Sequence, residues 1–226
     1  MSDILPPWLA VRDRLDAAGF KPSKRLGQNF LVDPNLLEKI AEASDVGPTQ
    51  TVLEIGAGCG MLTAHLARRA GRVLAVEIDR RLVRVGQDLC AGSGDVQWVQ
   101  ADALGEDGLS AKVCDSLRGG PCTRVVSNVP YVVSGPLLAA LVGHRPRFTS
   151  VLVLLQQELA DRLTADPGTK AYGALTVHVR RGFDVEVLRR VPPEVFRPRP
   201  KVTSALVRLT RVTDLGGEPG VKKLVA

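Results

Sequence analysis

Asn128-Val129-Pro130-Tyr131 places an amide, a proline and an aromatic ring within four residues, after the apolar run at 123–126 and ahead of Ser134, a candidate helix cap. Proline has no N–H and fixes its own backbone, so carbonyls near it can aim outward. Asn128 offers an acceptor and Tyr131 a stacking face. At the end of a buried strand these groups suit a planar ring that bears an amino group, such as a nucleobase. A simple turn with a buried tyrosine is the plainer alternative, and the rest of the chain decides between them.

A second constellation lies upstream. An apolar run at 52–55 containing Glu54 leads into Gly56-Ala57-Gly58-Cys59-Gly60, a helical pattern follows, and the next apolar run ends at Glu77. Glycines let a ligand approach the backbone, and an acidic residue at the end of the second strand can accept hydrogen bonds from both ribose hydroxyls. The ligand is therefore an adenosine-bearing cofactor. A dinucleotide fingerprint needs glycine where Met61 stands, so that match is incomplete. Glu54 would oppose a pyrophosphate. It suits instead a cofactor with a cationic amino-acid portion, as in S-adenosylmethionine, with Asp102 at the end of a third strand placed to bond the adenine amine. Solvated strand ends are the alternative for Glu54 and Glu77.

These residues need a scaffold. From Thr51 the sequence alternates short apolar runs with helical periodicity, which predicts parallel strands joined by crossover helices. The expected strands cover 52–55, 73–76, 96–99, 123–126 and 151–155, with helices led by Leu62, by Asp79 and by Pro136, and another over 157–163. Residues 104–117 read as weakly helical and 175–179 as a strand. Val185 and Val187 pair nearby, and Ala205, Val207 and Leu209 alternate in a last, antiparallel strand. Four prolines within 192–201 exclude helix and central strand there. Upstream, a short amphipathic helix runs from Trp8 to near Gly19. A basic loop follows, and Asp33-Pro34 caps a helix whose buried face is Leu36, Leu37, Ile40 and Ala41. The expected organisation is an N-terminal arm with a cofactor-capping loop (1–47), a catalytic domain (48–212) and a short polar tail (213–226). No internal repeat is found.

The 226 residues are 45% apolar and carry a formal charge of +6, which is enough for a folded core and favours an acidic partner, nucleic acid first. Cys59, Cys90, Cys114 and Cys122 show no paired spacing, so neither zinc nor a disulfide framework is expected. His65, His144 and His178 have no catalytic context and read as structural, and no metal is expected. With no membrane-length apolar stretch and no basic start, the reading is cytoplasmic, with a monomer favoured.

From about Lys21 to Arg208 the sequence resembles the ribosomal RNA adenine N6-methyltransferases, especially the small-subunit dimethyladenosine transferases. Five ordered motifs carry the resemblance: 27–31 (Gly-Gln-Asn-Phe-Leu), 54–60, 128–131, 167–173 and 192–202. It implies a doubly wound, Rossmann-like α/β fold of the class I S-adenosylmethionine-dependent methyltransferases. It assigns cofactor contacts to Asn29, Leu31, Glu54, Gly56, Gly58, Glu77, Asp102 and Asn128. It further implies that Asn128 and the Pro130 carbonyl accept hydrogen bonds from the target amine, that Tyr131 stacks on the flipped base and that an exposed Phe196 covers its other face. Lys21, Lys24, Arg25, Arg197, Arg199 and Lys201 would form a phosphate-binding rim. The partner implied is ribosomal RNA, within a small-subunit particle.

Two departures mark this chain. Val132-Val133-Ser134-Gly135 stands where the family usually has Asn-Ile-Ser-Thr, and the resemblance stops short of the family's helical C-terminal domain. Methylation of large-subunit RNA by the resistance-type branch, and a non-catalytic RNA-binding or ribosome-assembly role on the same fold, stay open as alternatives. A dehydrogenase is a distant fourth.

Overall fold

The computed structural model describes residues 7–23, 25–119, 122–144 and 147–212. Lys24 and the tail from Thr213 lie outside them. The elements in chain order are α1 (Trp8–Ala17), β1 (Phe30–Leu31), α2 (Pro34–Ala43), β2 (Thr51–Ile55), α3 (Met61–Ala67), β3 (Arg72–Glu77), α4 (Arg80–Leu89) and β4 (Val96–Gln100). Next come β5 (Leu104–Gly105), β6 (Gly108–Leu109), α5 (Ala111–Ser116), β7 (Cys122–Asn128), α6 (Ser134–Gly143), β8 (Ser150–Gln156) and α7 (Gln157–Leu163). The chain continues through α8 (Ala174–Arg180), β9 (Phe183–Val191), β10 (Phe196–Arg197) and β11 (Ser204–Arg211).

Seven strands form one sheet in the order β4-β3-β2-β7-β8-β11-β9. The first five run parallel, and β11 lies antiparallel to both β8 and β9. Successive residues of the central strands point to opposite faces, and each face has its own core. Val52, Val73, Val126, Leu152 and Leu206 pack under α1–α4, and Leu53, Leu74, Val125, Val151 and Val207 pack under α5–α8. Burial on both faces is why these strands read as continuous apolar runs and not as alternating ones. The doubly wound α/β class is thus what the sequence predicts.

Local signals set the helix starts. Asp33 accepts from the Leu36 N–H at 2.7 Å with Pro34 in the first turn, and Asp79 accepts from the Arg81 N–H at 2.9 Å ahead of α4. Three expectations are corrected. Residues 175–179 are not a strand but the middle of α8, where Thr176 and Val179 are the buried pair. That spacing of three is helical, and in a five-residue run a coincident apolar alternation outweighs it. The 104–117 stretch splits into the β5–β6 hairpin, turned at Gly105 and Gly108, followed by α5. The Val185–Val187 pairing extends to the nine residues of β9, an edge strand whose Arg189 and Arg190 are exposed.

Candidate active site

In an open α/β sheet a ligand binds beyond the carboxyl ends of the strands, where the strand order reverses. Here the reversal falls between β2 and β7. Their ladder stops after Leu53↔Val125, and the Ile55 N–H then donates to the Ser127 side chain at 2.8 Å. The two strands part at that point and a cleft opens, lined by the 27–31 loop, the glycine turn, Glu54, Glu77 and residues 128–131. This brings together two motifs that the sequence separates by some 70 residues.

The cleft has two buried carboxylates and, among the described residues, no lysine, arginine or histidine in its lining. Glu54 is 2% exposed and Glu77 is 6% exposed. Glu54 accepts from the Thr63 hydroxyl at 2.6 Å, and its carboxyl is pushed up to about 8, chiefly by burial and also by the nearby Glu77. Glu77 is raised too, mainly by burial, although the Gly58 and Asp79 N–H groups each donate to one of its oxygens at 2.9 Å. Removed from water, both groups favour a cation or hydroxyl donors over any anion. A pyrophosphate does not fit this donor set. A sulfonium or ammonium beside Glu54 fits, as does a ribose diol at Glu77, so the residues present suit S-adenosylmethionine.

The glycine turn is tied to the Asn128 motif by contact. At Gly56, with φ of 72°, a Cβ would stand 2.7 Å from the Pro130 Cδ; at Gly58 it would stand 3.2 Å from the Phe30 ring. Phe30 lines the cleft and is held by Phe20, in an edge contact with centroids 5.8 Å apart, and by Trp8 at 6.0 Å. Arg81 of α4 lies over the Phe20 ring at 5.2 Å. The N-terminal arm thereby supports a cleft wall. Sequence reasoning missed this role of Phe30, and also Thr63, whose spacing from Glu54 carries no signal outside the fold.

Asn128 donates through Nδ2 to the Asn29 carbonyl at 3.0 Å. Only an N–H can donate to a carbonyl, so the amide orientation is fixed and Oδ1 stays available as an acceptor. Asn29 in turn donates to the Gly27 carbonyl at 3.1 Å. The Pro130 carbonyl does not keep the role assigned to it from the sequence. It accepts from the Val133 N–H at 3.1 Å and from the Ser134 hydroxyl at 3.2 Å, which uses both lone pairs to start α6. The Val129 carbonyl is the neighbouring acceptor, one residue nearer Asn128.

Tyr131 lines the cleft, its hydroxyl 2.6 Å from the Ser204 Oγ, and burial raises its phenol so that it stays protonated. Phe196 is not exposed as expected. It is 1% exposed in β10, where it pairs with Leu31 of β1 and joins the core. The flanking prolines shape the backbone, but strand pairing turns this ring inward. Asp102 lies past β4 at the same sheet edge as Glu77. It is exposed, outside the cleft lining, and caps the Leu104 N–H at 3.0 Å.

The β1–β10 pair places Arg197 opposite Phe30, which joins the basic loop holding Lys21 and Arg25 to the one holding Arg197, Arg199 and Lys201. All five side chains are exposed. Arg199 pairs with Glu194, and Arg197 donates to the Glu194 and Phe196 carbonyls. Among the described residues, no group of histidine, cysteine and carboxylate side chains could hold a metal. No described helix is long and apolar enough to cross a membrane.

Residues 19–218 match the family model described as ribosomal RNA adenine dimethylase. The chain belongs to this family. Two ribosomal RNA small subunit methyltransferases A are similar to this chain. The one from Pelotomaculum thermopropionicum is 46% identical over 88% of the chain and 69% of its own length. The one from Geobacillus kaustophilus is 42% identical over 89% and 68%. The chain is also similar to a solved dimethyladenosine transferase from Plasmodium falciparum (TM-score 0.69, 30% identity, 80% of this chain and 62% of that one). A solved 23S rRNA methyltransferase, ErmE, gives TM-score 0.68 and 31% identity over 82% of this chain and 70% of that one. These relatives agree with the class I methyltransferase fold read from the sequence.

Proposed function

We propose that this protein transfers methyl groups from S-adenosylmethionine to N6 of adenine in small-subunit ribosomal RNA, within a ribosomal particle. The observation that carries the reading is the Asn128 amide, held by the Asn29 carbonyl through its N–H, in one cleft with two buried carboxylates and the Tyr131 ring. Bound S-adenosylmethionine supplies an electrophilic methyl on sulfur. Glu77 holds the ribose end, and Glu54 offers its carboxylate to the cationic end. On the other side the Asn128 Oδ1 and the Val129 carbonyl accept the two amine N–H groups of a flipped adenine. This turns the nitrogen lone pair toward the methyl, while Tyr131 stacks on the ring.

Catalysis of this kind is alignment. The N6–carbon bond forms as the carbon–sulfur bond breaks, and the two acceptors stabilise positive charge developing at nitrogen. An N6 that has gained a methyl is acidic and loses its proton without a dedicated base. The first product keeps one N–H, so either acceptor can hold it for a second transfer. Lys21, Arg25, Arg197, Arg199 and Lys201, with Lys24 in the same loop sequence, would contact RNA phosphates; the exposure of those five supports this reading.

The small-subunit assignment rests on the 42–46% identity to enzymes of that name, since backbone similarity is equal for the two rRNA branches. The test is transfer of labelled methyl to undermethylated 30S particles, with 50S particles and Asn128→Ala as controls. Label in 30S alone, lost in the variant, is expected. Label only in 50S moves the protein to the large-subunit branch, and cofactor binding with no label in either directs the search to another RNA or a non-catalytic role.

A further inference from the structure

Tyr131 sits on a three-residue 3-10 turn (Tyr131–Val133) with no buried residue, and its neighbour Val132 is 57% exposed. Such a turn does not by itself hold a ring in one orientation. The fixed point lies at the far end of the side chain. The phenolic hydroxyl meets the Ser204 Oγ at 2.6 Å, and Ser204 is 0% exposed at the first position of β11. Its backbone is paired on both sides, with Gln156 of β8 and with Val191 of β9. The anchor is therefore part of the rigid sheet, while the ring it holds belongs to an open mouth.

We infer that Ser204 is a positioning residue for Tyr131: its hydroxyl fixes the position and direction of the ring on which the target base stacks. The inference rests on the function proposed above and adds a residue that touches neither base nor cofactor. A stacking surface aligns a base only if the ring keeps its place; the phenolic oxygen lies on the axis about which the ring turns, so a hydrogen bond there restrains χ1 and the direction of the ring and leaves rotation about that axis to packing. Buried in the sheet, the Ser204 hydroxyl has the phenol as its partner, so the two groups satisfy each other. The spacing of 73 residues explains why neither motif reveals the other.

Two readouts separate the tether from the reaction. The chain has two tyrosines, Tyr131 and Tyr172, so ring-labelled tyrosine gives an assignable NMR spectrum in the absence of RNA. Ser204→Ala is expected to free the Tyr131 ring and leave Tyr172 unchanged, with Ser204→Thr restoring order; Tyr131→Phe breaks the same bond should the serine variant fold poorly. With RNA carrying 2-aminopurine at the target position, quenching by stacking should fall; with RNA carrying adenine there, kcat/KM should drop about three- to tenfold in either variant and no further in the double variant. Cofactor affinity should not move. A ring equally ordered in Ser204→Ala, or losses that add in the double variant, overturns the tether. If the ring is freed but wild-type protein never quenches 2-aminopurine, the tether stands and the proposed reaction fails.

Discussion

The two halves of the cleft are built differently. On the cofactor side Glu54, Glu77, Cys59 and Thr63 are nearly solvent-free, and each carboxylate is held by neighbours within about 25 residues of it in the chain. On the base side Tyr131 is half-buried, Val132 and Val202 are exposed, and the restraints come from far away, Asn29 for Asn128 and Ser204 for Tyr131. A small cofactor can be enclosed by local structure. A base that arrives attached to a large RNA needs an open approach, so alignment there depends on long-range ties to the sheet.

The largest expected effect breaks the base side alone. Asn128→Ala removes one amine acceptor and should lower kcat by about 10²- to 10³-fold, the usual loss for one preorganised polar partner. Cofactor affinity measured by calorimetry should change by less than about tenfold. A kcat within threefold of wild type would remove Asn128 from the chemistry and favour a plain structural turn.

Gly56→Ala strikes the seam. A Cβ there meets the Pro130 ring at 2.7 Å on a backbone with φ of 72°, so the variant should lose about 1–3 kcal/mol of stability. Both cofactor binding and methyl transfer should weaken together, measured by denaturant unfolding and by calorimetry. Loss of one function without the other would show that the halves are not mechanically joined through this contact.

Glu54 sharpens the comparison through pH. Its folded value is raised from 4.5 to about 8, so the unfolded chain ionises first and the folded protein loses stability as pH climbs from about 4.5 to about 8. Glu54→Gln should remove that loss and raise cofactor-free stability at pH 7 by roughly 3 kcal/mol, less whatever the amide forfeits in its bond with Thr63. Cofactor affinity in the wild type should increase with pH across the same window, because the ionised form attracts the cation. The variant should bind more weakly and without that slope. Equal slopes in the two proteins would show that Glu54 does not face the cationic group.

How much of this is legible in the sequence follows the same division. Strands β2, β3, β7 and β8, the glycine turn and both buried glutamates are written in contiguous apolar runs and their end residues, because parallel strands buried on both faces leave little choice. The base side was read less well. Phe196 was expected outside and lies inside, since its pairing with Leu31 spans 165 positions that no local pattern encodes. The Pro130 carbonyl owes its place in the reading to proline's stiffness, but Ser134 uses it: Val133 and not Ser134 holds the N-cap position of α6, and the Ser134 hydroxyl in the first turn donates back to that carbonyl. Residues 175–179 show the limit of periodicity in short runs, where helical burial at Thr176 and Val179 hides behind alternating aliphatics.

The smallest effect belongs to the rim, and it separates docking from alignment. Lys201 is exposed between the Phe196 strand and Ser204, beside the mouth but outside the cleft lining. A lysine that contacts one phosphate contributes through counterion release, so Lys201→Ala should lower the slope of log affinity against log salt by about one unit on structured RNA. Affinity should fall alike for matched and mismatched RNA, and kcat at saturating RNA should stay within about twofold. A fall in kcat with an unchanged salt slope would assign Lys201 to alignment of the base, and the division between an electrostatic rim and a positioned interior would have to be redrawn.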